Sequence, residues 1–297
     1  MARTLRPGQV AQLYIVDVDT GETTLVAQSA ELLFEAPNWT PDGRWLIVNG
    51  DGRLFRIAPT GGEFEQIDLG GVTELNNDHV LSPDGATVYV SSDDGHLYAV
   101  SLGVEGLGDG ESRRVSNNRG ESFRYYLHGI SPDGGQLAYI GLEVVGDGTF
   151  RTNVFTIPAA GGADMQLTNE ESPHDGSEFS PDGRWIYFNS ERESTEPGHA
   201  QLFRMSPDGE DVTQLTFDER VNWFPHLTAD GTRLAYVSFP PGTLGHPADL
   251  DVIIRVADAD GAGVRDLVHL FGGQGTLNVN SWDPTGTRLA YVAYPLR

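Results

Sequence analysis

Phe179-Ser180-Pro181-Asp182-Gly183 is one of four full copies of a phrase that recurs along the chain: an apolar residue, a small or polar residue, Pro-Asp-Gly, and then an apolar run. Proline presets φ at the first corner of a tight turn, aspartate tolerates the turn, and glycine accepts the positive φ before the next strand. The repeat aspartates are therefore predicted to be turn acceptors rather than catalysts. The other full copies are Trp39-Thr40-Pro41-Asp42-Gly43, Leu81-Ser82-Pro83-Asp84-Gly85 and Ile130-Ser131-Pro132-Asp133-Gly134, and two degenerate copies are Leu227-Thr228-Ala229-Asp230-Gly231 and Trp282-Asp283-Pro284-Thr285-Gly286.

The spacing of these phrases predicts the fold. Their six glycines are separated by 42, 49, 49, 48 and 55 residues, which is close to the length of one four-stranded propeller blade, roughly 40 to 50 residues. The fold class is therefore all-β: a six-bladed β-propeller of four-stranded antiparallel blades, forming a single domain over residues 1–297. The predicted repeats lie near 36–68, 78–118, 127–168, 176–216, 225–268 and 278–294, the last completed by 10–28.

The two ends of the chain are expected to close the ring. The sequence stops at Arg297, directly after the second strand of the last repeat, which leaves that blade two strands short. Residues 11–16 mirror the third strand of the fourth repeat, and residues 19–26 mirror its turn and outer strand. Pairing the ends covers strand edges that would otherwise be open to aggregation. The last blade is therefore predicted to be closed by the N-terminal strands.

Composition excludes several classes of partner. The 43 acidic residues outnumber the 19 basic ones, for a net charge of −24, so that the averaged field repels phosphate backbones and predicts no nucleic-acid partner. Cysteine is absent. No stretch approaches the roughly 18 apolar residues of a membrane span, and residues 1–8 have no following apolar run of the kind found in a signal peptide. The expected location is cytoplasmic as written, or periplasmic if a leader was removed, and a monomer is expected.

The repeat phrases resemble those of the TolB-type β-propeller family, whose consensus is an aromatic residue, Ser-Pro-Asp-Gly and an apolar strand. The resemblance extends over residues 9–294 and implies the propeller fold. Propellers of this kind serve as protein-binding scaffolds, peptidase gates and occasionally lyases, so fold alone does not fix function. The leading prediction is a binding or scaffold module for a protein, a peptide or a small polar ligand.

The loops predict which face binds. The short glycine-rich turns all fall on one face, which is called the turn face. The connections into the innermost strands, and those between second and third strands, fall on the opposite face and diverge in length. This is the channel-mouth face, and divergent loops on a rigid scaffold are where binding usually occurs. Its longest loops, around 143–152, 191–199 and 240–251, are predicted to form one raised wall.

Four histidines lie just before predicted innermost strands and are expected at the channel mouth: His79, His128, His174 and His226. The predicted ligand-binding residues combine flat apolar and hydrogen-bonding groups that suit a polar small molecule, a sugar or an extended peptide; they are these histidines with Asn77, Tyr126, Glu178, Trp223 and Asn280. The four histidines are also possible ligands of a divalent metal, supported by Asp78, Asp175 or Glu178. Structural capping of the inner strands is the alternative role.

No catalytic motif assigns an activity. A Gly-x-Ser-x-Gly elbow, a phosphate-binding Gly-x-x-x-x-Gly-Lys loop and a His-Glu-x-x-His helix are all missing from the sequence. The alternative function is a metal-assisted enzyme resembling oligogalacturonate lyases, which use related propeller repeats and channel histidines. An acidic sugar would need nearby positive charge, and the arginines placed to supply it are Arg124, Arg151, Arg192 and Arg220.

Overall fold

The structure is a computed structural model that describes residues 3–146 and 148–297. Within these residues the secondary structure is 23 β-strands and no α-helix. The strands are β1 (Ala11–Asp17), β2 (Thr23–Ser29), β3 (Phe34–Trp39), β4 (Leu46–Gly50), β5 (Arg53–Ile57), β6 (Glu65–Gln66), β7 (Leu75–Leu81), β8 (Thr87–Ser92), β9 (Leu97–Ser101), β10 (Ser112–Arg114), β11 (Phe123–Ile130), β12 (Gln136–Val145), β13 (Thr149–Pro158), β14 (Met165–Gln166), β15 (His174–Phe179), β16 (Ile186–Ser190), β17 (Gln201–Met205), β18 (Thr213–Gln214), β19 (Val221–Leu227), β20 (Arg233–Phe239), β21 (Ala248–Asp258), β22 (Arg265–Gly273) and β23 (Arg288–Ala293).

These strands form the six blades that the repeat predicts. Blades one to five are four-stranded antiparallel sheets in chain order, made by β3–β6, β7–β10, β11–β14, β15–β18 and β19–β22. The sixth blade contains β23, β1 and β2, and its innermost strand is reduced to a bridge between Trp282 and Leu289. The innermost strand of that blade is short because residues 274–281 instead follow an irregular path past the channel mouth.

The N-terminal strand closes the ring, as predicted. β1 pairs antiparallel with β23, from Gln12 opposite Ala293 to Asp17 opposite Arg288. The rings of Tyr14 and Tyr291 stack across this joint with their centroids 5.4 Å apart. The first and last strands of the chain are therefore neighbours within one sheet.

The Pro-Asp-Gly turns pack against each other between neighbouring blades as well as turning the chain. Within the fourth turn, the Ser180 hydroxyl donates to Oδ1 of Asp182 at 2.7 Å, and Gly183 has φ 69°. Between blades, a methyl group added to Gly183 would lie 3.3 Å from Cγ of Pro132, in the preceding turn. A methyl group added to Gly85 would likewise contact Pro41, in the turn that precedes it. The repeat aspartates are thus turn acceptors, and each such glycine also leaves room for the proline beside it.

The core lies between neighbouring blades. In one apolar cluster, Trp223 and Val237 of the fifth blade pack with Trp282 and Tyr291 of the sixth. Inner strands are buried on both faces, as in β4, whereas the outermost strand β6 is exposed. Burial on both faces explains why the second strands read as continuous apolar runs rather than alternating ones.

Bulges in the innermost strands shape the channel mouth. Pairing of the first and second strands shifts register in each of blades one to five, including between Asp175 and Glu178 and between Trp223 and His226. At the last of these, Phe224 has φ 58°, a left-handed conformation that is uncommon for a bulky residue. A bulge bends its strand and re-aims side chains, so these shifts turn inner-strand residues toward the channel.

Candidate functional site

A cavity of about 690 Å³ opens on the channel-mouth face. We call it the mouth cavity. Its polar lining includes Asn77 and Asp78 near the start of β7, His128 on β11, and His174 and Asp175 at the start of β15. Its apolar and aromatic walls include Tyr126, Leu142, Trp223, Phe224 and Leu244. A second cavity, of about 390 Å³, opens on the turn face inside the ring of turn prolines.

The predicted wall is built from two loops and one long hairpin. Around 143–152 the sequence predicts a loop. Instead, β12 extends to Val145 and β13 begins at Thr149, and Glu143 pairs with Arg151. Residue 147 lies outside the described residues. The loops of blades four and five touch, because a methyl group on Gly198 would lie 2.7 Å from Cδ2 of Leu244. This wall borders the mouth cavity through Leu244 and Glu191.

An aspartate held between two histidines forms part of the mouth cavity. Oδ1 of Asp175 lies 2.8 Å from Nε2 of His128, and its Oδ2 lies 3.5 Å from Nε2 of His246. Burial acts to raise the pKa of Asp175, but the two histidines outweigh it and hold that pKa below its usual range. Nδ1 of His246 contacts the side-chain oxygen of Gln274, whose amide donates to Asn77 at 3.2 Å.

Asp78 is a second carboxylate close to this group, and it is 5% exposed. Its Oδ2 accepts a hydrogen bond of 2.7 Å from the Asn76 amide. Burial raises the pKa of Asp78 to about 6, although His128 pulls it down. Burial acts to lower the pKa of His128, but Asp78 and Asp175 outweigh it and raise that pKa. The mouth cavity therefore holds several titratable groups that perturb each other, a feature common at functional sites.

His174 presents unpaired nitrogens at the same cavity. Its side chain is fully buried, and neither ring nitrogen makes a hydrogen bond with any residue that the structure describes. Oε2 of Glu170 stands 3.7 Å from Nε2, beyond hydrogen-bonding distance. Burial, with Arg192 adding to it, lowers the pKa of His174 to about 4, so that the ring is neutral at pH 7.

Glu178 and His226 belong to a different network, which joins three blades. Nδ1 of His226 lies 2.6 Å from Oε2 of Glu178, and Nε2 of His226 lies 3.2 Å from the Leu277 carbonyl. Oε1 of Glu178 accepts from the Leu227 backbone at 3.1 Å and from the Asn280 amide at 2.8 Å. Both carboxylate oxygens of Glu178 and both ring nitrogens of His226 therefore contact protein partners. This is the structural capping that the sequence offers as the alternative role of the inner-strand histidines.

The structure therefore divides the predicted site residues into three sets. Asn77, Tyr126, His128, His174 and Trp223 line the mouth cavity. Glu178 and Asn280 line the turn-face cavity, together with His128, which reaches both. His79 and His226 are buried and line neither of these two cavities. Sequence reasoning missed His246 and Gln274. His246 lies in the long loop predicted around 240–251, but a loop of that length gives no register from which to place one side chain.

The metal hypothesis requires the predicted histidines to lie close enough together to bind one metal ion. Within residues 3–146 and 148–297, no three His, Asp or Glu side chains are grouped as ligands for a single metal ion. The four arginines expected to face an acidic sugar have protein partners instead. Arg151 pairs with Glu171 and Arg192 with Glu170, while Arg124 donates to the Asp93 carbonyl and Arg220 to Ser238.

No helix in the part of the chain that the structure describes has the length and apolarity to cross a bilayer.

Known proteins resemble this chain over nearly its full length. It is 38% identical over 285 residues to the uncharacterized protein Atu1656 of Agrobacterium fabrum (strain C58), covering 96% of this chain and 92% of that one. A solved structure from Agrobacterium tumefaciens that carries the provisional name TolB is 37% identical, with a TM-score of 0.86 and coverage of 97% of this chain and 99% of that chain.

A more distant structure shares the fold alone. An oligogalacturonate lyase solved in complex with manganese is 17% identical, with a TM-score of 0.58, over 91% of this chain and 75% of that chain. The sequence family described as the TolB beta propeller domain matches residues 101–251. With this match and a relative that is 38% identical over 96% of this chain, the chain belongs to the TolB β-propeller family.

Proposed function

We propose that the protein is a binding module whose mouth cavity takes a small polar ligand, or the exposed end of a peptide or protein partner. The observation that carries this proposal is the cavity itself. Its volume of about 690 Å³ lies within the roughly 300–1,000 Å³ of typical ligand sites, and aromatic walls with a few fixed polar groups are usual in such sites.

The chain of polar contacts from His128 through Asp175 and His246 to Gln274 supports this proposal. It draws on blades three, four, five and six. A ligand that contacts these groups would therefore be held by side chains whose positions are fixed by the ring. Fixed groups bind more tightly than mobile ones because less conformational freedom is lost on association.

The matched pair Leu142→Trp and Val144→Trp tests the proposal. Both positions lie on β12 and point to the same side of the strand. Leu142 lines the mouth cavity, whereas Val144 is 37% exposed and does not. A library of polar fragments and short peptides would be screened by thermal shift and by crystal soaking. Ligands of the wild type should bind the Val144 variant and fail to bind the Leu142 variant. Binding unaffected by Leu142→Trp would place the site elsewhere and overturn the proposal.

The second candidate function is a metal-assisted enzyme resembling oligogalacturonate lyase. It is favoured by the mutually perturbed Asp78 and His128, which have the properties of an acid and base pair. The likeness to the lyase itself supports the fold only. Metal analysis of the purified protein for manganese, zinc and calcium, combined with an assay for unsaturated product from oligogalacturonate, tests this candidate. Stoichiometric metal that is lost in a His79→Ala and His128→Ala double variant would support it; absence of both metal and product would remove it.

A further inference from the structure

The charges around the mouth cavity are unevenly distributed. Asp78, Asp175 and Glu191 line it. All 19 basic residues of the chain are arginines, and none of them lines this cavity. Among the residues that the structure describes, histidine is the only type of side chain in the lining that can carry a positive charge. An anionic ligand would therefore meet three carboxylates without an arginine to offset them, at a cost that rises as water is displaced.

Unpaired polar groups give independent evidence that a ligand is received here. Within residues 3–146 and 148–297, His174 is fully buried and neutral, and neither of its ring nitrogens has a hydrogen-bond partner. A neutral imidazole has one nitrogen that accepts, so this ring leaves an acceptor without a partner beside the cavity. The indole Nε1 of Trp223 is likewise buried without a partner. Buried polar groups normally have partners, and both of these residues line the mouth cavity.

The apolar walls of the mouth cavity indicate the chemistry of the uncharged part of the ligand. Tyr126, Trp223 and Phe224 place aromatic surface around the acidic groups. Aromatic faces attract cations as well as apolar groups, with the strongest attraction where water is excluded. A compact cation with an apolar body would thus contact both kinds of surface at once.

We propose that the mouth cavity recognises its ligand through a protonated amine, and that its ligands are small organic cations with an apolar or aromatic body. This inference rests on the proposed function, because it names the ligand class of the same cavity. Asp78 is the main partner of the ammonium group, since its side chain accepts a single hydrogen bond from the described residues, that of Asn76, whereas both oxygens of Asp175 already face histidines.

Three probes of nearly the same shape test the ligand class. Tyramine, 4-ethylphenol and 3-(4-hydroxyphenyl)propionate share a phenol body and carry a cationic, a neutral and an anionic end. Their affinities would be measured by isothermal titration calorimetry at pH 7.5, together with a wider set of amines each matched to its neutral and acidic analogue. The amines should bind at least about tenfold more tightly than their analogues, a difference of about 1.4 kcal/mol.

Two variants locate the effect. Asp78→Asn keeps the shape of the side chain and removes its charge, so it should weaken amine binding at least about tenfold and leave 4-ethylphenol unchanged. Asp211→Asn is the matched control, because Asp211 is exposed in the turn between β17 and β18 and lies outside the mouth cavity. Circular dichroism of both variants would be used to check that they fold.

The outcomes separate this inference from the proposed function. If the acids or the neutral analogues bind as tightly as the amines, and Leu142→Trp abolishes that binding, the cavity is a ligand site and the cationic class is wrong. Amine binding that survives Asp78→Asn overturns the assigned contact. If neither the matched set nor the fragment library binds in the cavity, both the inference and the proposed function fail.

Discussion

Oε2 of Glu178 lies 2.6 Å from Nδ1 of His226, across the joint between the fourth and fifth blades. Oε1 of the same carboxylate accepts hydrogen bonds from Leu227 and from Asn280, which precedes the sixth blade. One buried carboxylate thus connects three successive blades near the axis of the ring.

Replacing Glu178 with alanine should lower the free energy of unfolding by about 3–5 kcal/mol, because it leaves buried groups of His226, Leu227 and Asn280 without their hydrogen-bond acceptor, at about 1–3 kcal/mol each. Urea denaturation, monitored by tryptophan fluorescence, measures this loss of stability. Glu210→Ala, at an exposed turn residue, is the control and should change little. A loss below about 1 kcal/mol for the Glu178 variant would mean that the contact does not hold the blades together.

The stability conferred by Asp78 should depend on pH. Its folded pKa of about 6 exceeds the usual value of 3.8, so the folded state holds the proton more tightly than the unfolded state does. The contribution of this group is fully present below about pH 4 and is lost as pH rises through about 6. Relative to Asp78→Asn, the wild type should therefore lose on the order of 3 kcal/mol between pH 4 and pH 8.

Denaturant titrations of both proteins at the two pH values measure this difference. Asp211→Asn supplies the control, whose offset from the wild type should be the same at pH 4 and pH 8. An offset for Asp78→Asn that is equally constant would contradict the raised pKa.

Closure by the N-terminal strand should be visible in a pair of leucine substitutions. Leu13 is fully buried on β1, whereas Leu25, on the adjacent β2, is 45% exposed. Leu13→Ala should cost about 2–5 kcal/mol, as expected for a buried leucine that leaves a cavity, and Leu25→Ala less than about 1 kcal/mol. Thermal and chemical denaturation of the two variants test this, and equal losses would show that β1 is not an integral strand of the ring.

Gly176 is expected to hold Phe224 in place beside the mouth cavity. Its φ is 65°, and an added methyl group would lie 3.2 Å from Cα of Phe224 and 2.8 Å from Oδ1 of Asn189. Gly21 has φ 75° with nothing within 4 Å of an added methyl group. Both alanine variants incur backbone strain of about 1–3 kcal/mol, but only Gly176→Ala adds overpacking, roughly 1–3 kcal/mol more.

Comparison of the two alanine variants by denaturation isolates the overpacking. Binding of any ligand of the mouth cavity should weaken in Gly176→Ala and remain unchanged in Gly21→Ala. Equal stability of the two variants would indicate that the strand carrying Phe224 can move aside without cost.

The sequence predicts the channel-mouth residues only in part. Histidines near innermost strands are visible from the repeat register, and five of the nine predicted positions line the mouth cavity: Asn77, Tyr126, His128, His174 and Trp223. The same register predicts His226 at the channel mouth, whereas the structure places it at a joint between blades. The bulges explain the difference, because a shift of one residue turns a strand's side chains to the other face. The residue pattern of these strands does not predict where the shift occurs.

By itself the sequence determined the fold: six turns in register at blade-length spacing specify the number of blades, and the likeness of residues 11–16 to residues 200–203 specifies how the ring closes. These are local signals, since a turn and a strand are encoded by neighbouring residues. Only the tertiary structure decided that His246 and Gln274 join His128 and Asp175, and that His226 serves the joint between blades. Such contacts link residues far apart in the chain, and they depend on bulges and on the closed ring, which exist only once all the blades are in place.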